Sequence, residues 1–291
     1  MNKQTLRADG FLFLAALIWG FAFVAQRSGM EHVGPFLFNG IRFLLGALVL
    51  LPFLKIFKGG KWPRLETLLI GSILFVAASL QQAGLVYTTA GKAGFITGLY
   101  VILVPILGIP LGHRTRRGSW VGALLAVWGM YFLSVQSDFS VQFGDLLVLV
   151  GALFWAMHVL YISHLLRKYD ALKIAIAQFA VCGLLSMLVA ILAEPLQLTG
   201  IWQASGSIAY AGIFSVGVAY TLQVVAQNHA QPAHAAILLS LETVFAVLGG
   251  WWLLNEALTL RMLLGCSLML AGMLVSQISE VYGKPLETTN S

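Results

Sequence analysis

The chain has 291 residues, of which 59% are hydrophobic and 10% charged, and its mean hydropathy is +0.88. Soluble domains carry about a quarter charged residues, so this sequence lacks the polar surface needed to wrap a water-soluble globule. Its two cysteines, Cys182 and Cys266, fall inside apolar stretches and form no disulfide framework. The net charge of +6 is spread over separate short connections, so no nucleic-acid partner is expected.

A helix needs about 20 apolar residues to cross the roughly 30 Å core of a bilayer. In chain order such stretches fall near 9–28, 35–54, 64–87, 92–112, 118–136, 144–165, 172–193, 206–228, 234–254 and 260–279. They are continuously apolar rather than alternating, which predicts helices and not a barrel. The first is too long for a cleaved signal peptide, and no small-x-small site precedes Arg27. Only the connection around 194–205 exceeds a tight turn. Lys3, Arg7, Lys55, Lys58, Lys61, Arg64, Arg114, Arg116, Arg117, Arg167, Lys168, Lys173 and Lys284 lie in one set of connections, against Arg27, Lys92 and Arg261 in the other. Arg42 lies inside a span and completes the 17 basic residues. Basic residues concentrate in cytoplasmic loops, so both termini are expected in the cytoplasm, with the chain multi-pass in a cell inner membrane.

The sequence also repeats. Asp9 and Trp19 are matched by Asp145 and Trp155, and Ala16-Leu17 by Ala152-Leu153, all at an offset of 136. Gly71 and Gln82 are matched by Gly212 and Gln223 at 141, and Gly122 and Gly129 by Gly265 and Gly272 at 143. Five spans per half is an odd number, so the second half must enter the bilayer from the opposite side. Inverted repeats of this kind are an architecture of secondary transporters. The expected organisation is a first repeat over 1–137, a second, inverted repeat over 138–280, and a polar cytoplasmic tail over 281–291.

The run Leu241-Glu242-Thr243-Val244-Phe245 through Leu254-Asn255-Glu256-Ala257-Leu258-Thr259, followed by Gly265 and Gly272, resembles the second-repeat signature of EamA-type transporters of the drug/metabolite transporter superfamily. Trp19-Gly20, with its counterpart Trp155-Ala156, is similar to the same family, as is the stretch from Tyr87 through Lys92 and Phe95 to Val104-Pro105. The resemblance covers about residues 8–279. It implies an all-α membrane fold of ten helices around a central cavity, and a carrier or exporter of small metabolites, often amino acids. Thr243 stands where the family commonly has proline, which removes the usual reason for a kink there, while Pro105 and Pro110 keep one available in the fourth span. His113 occupies the position matching Glu256, so that glutamate is not duplicated.

Ionisable residues inside a bilayer are costly and mark candidate sites. Glu242 lies roughly 12 Å into the ninth span at 1.5 Å per residue. It either exchanges a proton or holds a substrate ammonium group, or it is a neutral acid that fixes helix packing. His158 is expected at similar depth, as a proton-relay partner of Glu242 or as a structural donor. Arg42, roughly 10 Å from the outer side, either binds a substrate carboxylate or snorkels to the interface. Trp19 and Trp155 fall near the midplane, away from the interfacial belts tryptophan favours. They either offer aromatic faces to a substrate or pack the core. Tyr220, Gln223 and Gln227 share one helical face, and Gln81 and Gln82 are the counterparts in the third span. Duplication favours Gln82 and Gln223 as cavity residues, and Tyr100 is a further candidate.

Glu256, near the start of the tenth span, reads as a structural partner of the helix dipole. The sequence contains no Walker motif, no zinc-ligand spacing and no nucleophile elbow. The expectation is therefore a secondary transporter, not an enzyme, working by alternating access, with any coupling to protons through Glu242; that it exports small polar metabolites such as amino acids is what the resemblance implies. Its partners would be a small-molecule substrate and the lipid bilayer, with no cofactor and no metal; a homodimer is left open. The competing class is a membrane-embedded enzyme acting on a lipid-linked substrate. Such enzymes usually expose acidic or histidine clusters at one face, whereas the outer connections here hold only scattered Glu31, Asp138 and Glu194.

Overall fold

A computed structural model describes residues 3–55, 61–88, 90–113, 115–134, 143–254 and 259–282. Glu256, Asp138, Lys58, Arg114, Lys284 and the tail beyond Tyr282 lie outside the described residues. All regular structure within them is helical. The first half comprises α1 (Lys3–Gly29), α2 (Pro35–Leu50), α3 (Leu65–Tyr87), α4 (Ala90–Gly98), α5 (Tyr100–Gly108) and α6 (Arg117–Ser134). The second comprises α7 (Phe143–Leu165), α8 (Ala171–Ala193), the short α9 (Leu198–Gln203) and α10 (Ser205–Ala209), a π-helical segment (Tyr210–Tyr220), α11 (Thr221–Ala226), α12 (Pro232–Leu239), α13 (Glu242–Leu254) and α14 (Leu260–Tyr282).

Nine segments among the described residues are long and apolar enough to cross a bilayer. Of the ten expected spans, the fifth is the one not in that set. It is the 18-residue α6, which starts on Arg117 and is diluted by Ser119, two tryptophans and three glycines. Apolar side chains cover the outside of the bundle as well as its core: Leu192 is 78% and Trp252 70% exposed, as suits lipid-facing positions. The connection around 194–205, expected to exceed a tight turn, holds α9. At its start the Glu194 carboxylate accepts from the backbone N–H groups of Phe36 (2.9 Å) and Leu37 (2.8 Å). An acid at a helix N-terminus satisfies orphan donors and suits the dipole, so Glu194 ties the end of α8 to the start of α2.

The helix pairs exchange when the halves are exchanged. α1 packs on α13 as α7 packs on α4 and α5, and α3 packs on α7 as α1 packs on the π-segment and α11. α3 meets α8 as the π-segment meets α2, while α2–α8 and α6–α14 each pair a helix with its own counterpart. The α6–α14 pair is set by glycine. A Cβ on Gly122 would lie 2.6 Å from the Gly272 carbonyl oxygen, one on Gly272 would lie 2.6 Å from that of Gly122, and one on Gly129 would lie 2.6 Å from that of Gly265. Small residues that let backbones approach are how helices associate where lipid is as apolar as leucine.

Two spans are broken at matched places. α4 passes to α5 through Leu99, and α12 passes to α13 through Ser240 and Leu241. The second break occurs without proline. Leu241 and Thr243 donate to carbonyls three residues back, those of Leu238 (3.2 Å) and Ser240 (3.1 Å), and the Ser240 hydroxyl takes the Ile237 carbonyl (2.8 Å). A tightened turn with a serine back-bond therefore does the work that proline does elsewhere.

The glycine contact yields a stability test. Gly122→Leu is expected to lower the melting temperature in detergent by the equivalent of about 1–3 kcal/mol or more, the usual cost of forced overpacking. Gly10→Ala, where nothing lies within 4 Å of the added Cβ, should leave it unchanged or raise it, by up to the roughly 1 kcal/mol that alanine gains over glycine in a helix. Thermal unfolding of the purified variants checks both.

Candidate functional site

A cavity lies among the helices, lined by Trp19, Phe23, Gln26, Arg42, Gln81, Thr97, Tyr100, Trp155, Val159, Ser215, Tyr220, Gln223, Leu239 and Glu242. Trp19, Phe23 and Gln26 stand on one face of α1, and Trp155 and Val159 on one face of α7, as spacings of three and four dictate. Tyr100 opens α5 and Glu242 opens α13, so both broken spans present the first residue after their break to the same space. At a helix N-terminus the Glu242 carboxylate also meets a favourable dipole. Gly20 permits its placement: a Cβ there would lie 2.8 Å from the Glu242 backbone oxygen.

Aromatic rings form one wall. The Tyr220 ring lies 4.6 Å from Trp19 and 6.0 Å from Trp155, nearly parallel to the latter. Trp19 Nε1 donates to the Ser215 carbonyl at 3.1 Å, and the Tyr210 hydroxyl donates to the Ile18 carbonyl at 3.0 Å, so the π-segment and α1 clasp each other around Trp19. Gln81 Nε2 donates to Thr97 Oγ1 at 3.0 Å, bracing α3 against α4.

Four polar atoms at the cavity are buried and unpartnered, Gln26 Oε1, Arg42 Nε, Trp155 Nε1 and Gln223 Oε1, while the Tyr100 hydroxyl faces the Glu242 carboxylate. Leaving such a group unbonded in an apolar interior costs about 1–3 kcal/mol, so they are the groups most ready to meet a polar ligand. Arg42 is 2% exposed and its guanidinium sits 4.9 Å from the Phe43 ring and 5.7 Å from that of Phe38. Tyr220 and Cys182 are the groups that act on it electrostatically. A cation held by rings and a neutral phenol retains its capacity for an anion.

The lining is built from matched positions. Trp19 and Trp155, and Phe23 and Val159, are 136 apart; Gln81 and Gln223, Thr97 and Leu239, and Tyr100 and Glu242 are 142 apart. Both halves thus present corresponding positions to one space. Gly71 and Gly212, 141 apart, are also true counterparts, because Gly71 packs on Val181 and Gly212 on Leu45, which are themselves 136 apart. Between Gly212 and Gln223 the second half therefore carries one extra residue, and the π-helix from Tyr210 to Tyr220 lies across that interval. A π-helix bonds back five residues instead of four and so absorbs an insertion without breaking the span.

Seven of the nine residues singled out from sequence line the cavity: Trp19, Arg42, Tyr100, Trp155, Tyr220, Gln223 and Glu242. Gln82 and His158 do not. Gln82 is fully buried behind the wall with both amide atoms unpartnered. A constant offset matches it to Gln223, but the inserted residue makes Gln81 the counterpart, about 100° away around the helix. His158 is fully buried, with Nε2 bonded to Gln178 Oε1 at 2.7 Å and its ring edge-on to Trp155 and Tyr220. Its ring is engaged by Gln178 rather than by Glu242. Phe23, Gln26, Thr97, Val159, Ser215 and Leu239 were not singled out. Most stand three, four or seven residues from one that was, so extending each helical face would have found them.

Two stretches, residues 6–135 and 142–277, match the EamA-like transporter family. An uncharacterized transporter of Archaeoglobus fulgidus is 35% identical over 279 residues, covering 94% of this chain and 86% of its own. YedA, an uncharacterized inner membrane transporter of Escherichia coli, is 28% identical over 269 residues, covering 88% and 86%. YoaV, an uncharacterized transporter of Bacillus subtilis, is 24% identical over 273 residues, covering 89% and 93%. A chain of known crystal structure shares the fold with a TM-score of 0.80 at 20% identity, covering 95% of this chain and 99% of that one.

The register of α3 is open to a direct test. Gln82→Leu removes two buried unpartnered polar atoms and is expected to stabilise the protein by about 1–3 kcal/mol. Gln81→Leu breaks the bond to Thr97 and should destabilise it by about 1 kcal/mol. Melting curves of the two variants, taken side by side, decide whether the neighbours divide in this way.

Proposed function

The chain belongs to the EamA-like transporter family, and from that premise we propose that it is a secondary carrier exporting small polar metabolites, amino acids or their derivatives, across an inner membrane. The reading takes residues 1–137 and 138–280 as two inverted repeats, with 281–291 as a polar tail and both termini in the cytoplasm. The observation that carries it is the cavity itself, in which matched positions of both halves and two opposite ionisable groups, Arg42 and Glu242, line one space among apolar spans.

In this reading Arg42 takes the carboxylate of the substrate, for which its planar fork is suited. Glu242 takes the ammonium group or, between substrates, a proton. Trp19, Trp155 and Tyr220 cover the side chain, while Gln81, Gln223 and Tyr100 supply neutral hydrogen bonds that set orientation. The halves exchange conformations around this fixed site, opening it to one side and then the other. YedA, to which the chain is similar, is named as an inner membrane transporter, which supports the location.

Counterflow in proteoliposomes tests the proposal. Purified protein loaded with an unlabelled amino acid panel should accumulate the labelled counterpart of at least one member. Glu242→Gln is expected to keep counterflow but lose the acceleration produced by an imposed pH gradient. Arg42→Ala should raise the apparent KM for a carboxylate substrate by roughly tenfold or more, the equivalent of one charge-assisted hydrogen bond. No movement of any compound, with or without a pH gradient, would sink the reading.

A further inference from the structure

Outside the cavity, four helices meet in a buried polar cluster at one end of the bundle. Asp9 lies near the start of α1, His234 in the first turn of α12, Ser119 in the first turn of α6, and Ser276 and Gln277 near the end of α14. His234 Nε2 pairs with Asp9 Oδ1 at 2.8 Å, and its Nδ1 with Ser276 Oγ at 2.8 Å. Gln277 Nε2 donates to the second Asp9 oxygen at 3.1 Å, and Ser276 Oγ donates to Ser119 Oγ at 3.4 Å. Asp9, His234, Ser276 and Ser119 are all buried.

The far end of α1 carries a second cluster. Arg27 Nη1 donates to the carbonyls of Thr88 (2.8 Å) and Leu85 (3.3 Å), which end α3. The Thr88 hydroxyl donates to Asp145 Oδ1, at the start of α7. Asp9 and Arg27 are 18 residues apart on one helix, hence about 27 Å at 1.5 Å per residue. That is nearly the thickness of a bilayer core. The clusters therefore sit at opposite mouths, with the cavity lined by Trp19 between them. Each contains the aspartate that begins the first helix of its half, Asp9 and Asp145, matched at 136.

A broken span connects the first of these clusters to the cavity. His234 rides on α12, a half-helix that reaches the lining at Leu239 and ends at the tightened turn over Ser240 and Leu241. A few element-terminal residues that absorb a change of φ and ψ are what a hinge requires. Releasing His234 would free α12 to pivot there, uncovering the cavity at the mouth on the side of the chain ends.

We infer that the Asp9–His234–Ser276–Gln277 cluster and the Arg27–Thr88–Asp145 cluster are the two gates of the transport cycle, each released only while the other is held. The inference rests on the carrier reading above and adds residues that do not touch the substrate. Asp9 and Asp145 are gating residues, and their matched positions give each face the same kind of fastening. Breaking either cluster shifts the balance of facing states without altering the lining.

The experiment reads accessibility and needs no substrate. In a Cys182→Ala, Cys266→Ala background, Ser215→Cys reports the cavity to a membrane-impermeant thiol reagent. Labelling is measured in intact cells and in inside-out membranes, with thermal unfolding as the check on folding. Asp9→Asn and Ser276→Ala are expected to raise the labelling rate from the face of the chain ends by roughly tenfold and lower it from the other, the equivalent of one charge-assisted hydrogen bond. Asp145→Asn and Thr88→Val should do the reverse. Should Asp9→Asn fail to fold, Ser276→Ala, a loss of one hydroxyl, carries the test for that face. Unchanged rates in folded variants, or a rise at both faces together, would overturn the gates. Opposite shifts without any measurable flux would leave the gates standing and remove the carrier reading instead.

Discussion

Inside hydrocarbon every backbone N–H and C=O must find its partner within the protein, so a helix can be interrupted only where the loosened groups face other helices or a cavity. That constraint organises this molecule. Among the described residues, the break between α4 and α5, the break between α12 and α13, and the π-segment interrupt the long spans, and the residues that follow the two breaks line the cavity together with the π-segment. Tyr100 and Glu242 reach the cavity because their helices restart there, and Ser215 and Tyr220 reach it from the π-segment. The regular faces of α1, α2, α3 and α7 complete the site between them.

Close approach of backbones supports the same arrangement. Gly122 and Gly272 bring α6 and α14 together away from the cavity, while Gly20 brings α1 onto the first turn of α13 and so sets Glu242 beside Trp19. In lipid the packing of helices has no solvent-driven term to lean on, so such contacts decide which faces meet. The aromatic clasp of Trp19 and Tyr210 on the π-segment then fixes the one span whose hydrogen bonding departs furthest from the α-helix.

Much of this was legible in the sequence, and what was not has identifiable causes. Continuous apolar runs located the spans, because a bilayer demands length and little else. The isolated charges Arg42 and Glu242 pointed to the cavity because a charge is costly elsewhere in a membrane, and Trp19 with Trp155 because the pair recurs near the midplane, away from the belts tryptophan favours. The pairing of Gln82 with Gln223 failed by one position, since an inserted residue accommodated by a π-helix leaves no mark in an apolar, evenly spaced run. His158 misled because a polar residue at the right depth says nothing of its rotation about the helix, and Gln178 claims it from behind the wall. The Asp9–His234 cluster was invisible because its members come from four helices separated by up to 268 residues. Spacing rules see only neighbours along one helix. The absence of proline at Thr243 argued against a break that Ser240 makes by other means.

The matched positions of the cavity have a thermodynamic consequence. In the carrier reading proposed above, two identical halves would exchange conformations at no cost, and the empty carrier would rest equally on both sides. Phe23, Gln26, Arg42, Thr97 and Tyr100 spoil that degeneracy, because their counterparts at the same offsets are Val159, Ile162, Gln178, Leu239 and Glu242. Each unmatched side chain meets different surroundings in the two states, and every 1.4 kcal/mol or so of difference skews their populations about tenfold. In that reading the resting side of the empty carrier is set by these unlike pairs and by the extra residue of the π-helix, the places where the duplication no longer repeats itself.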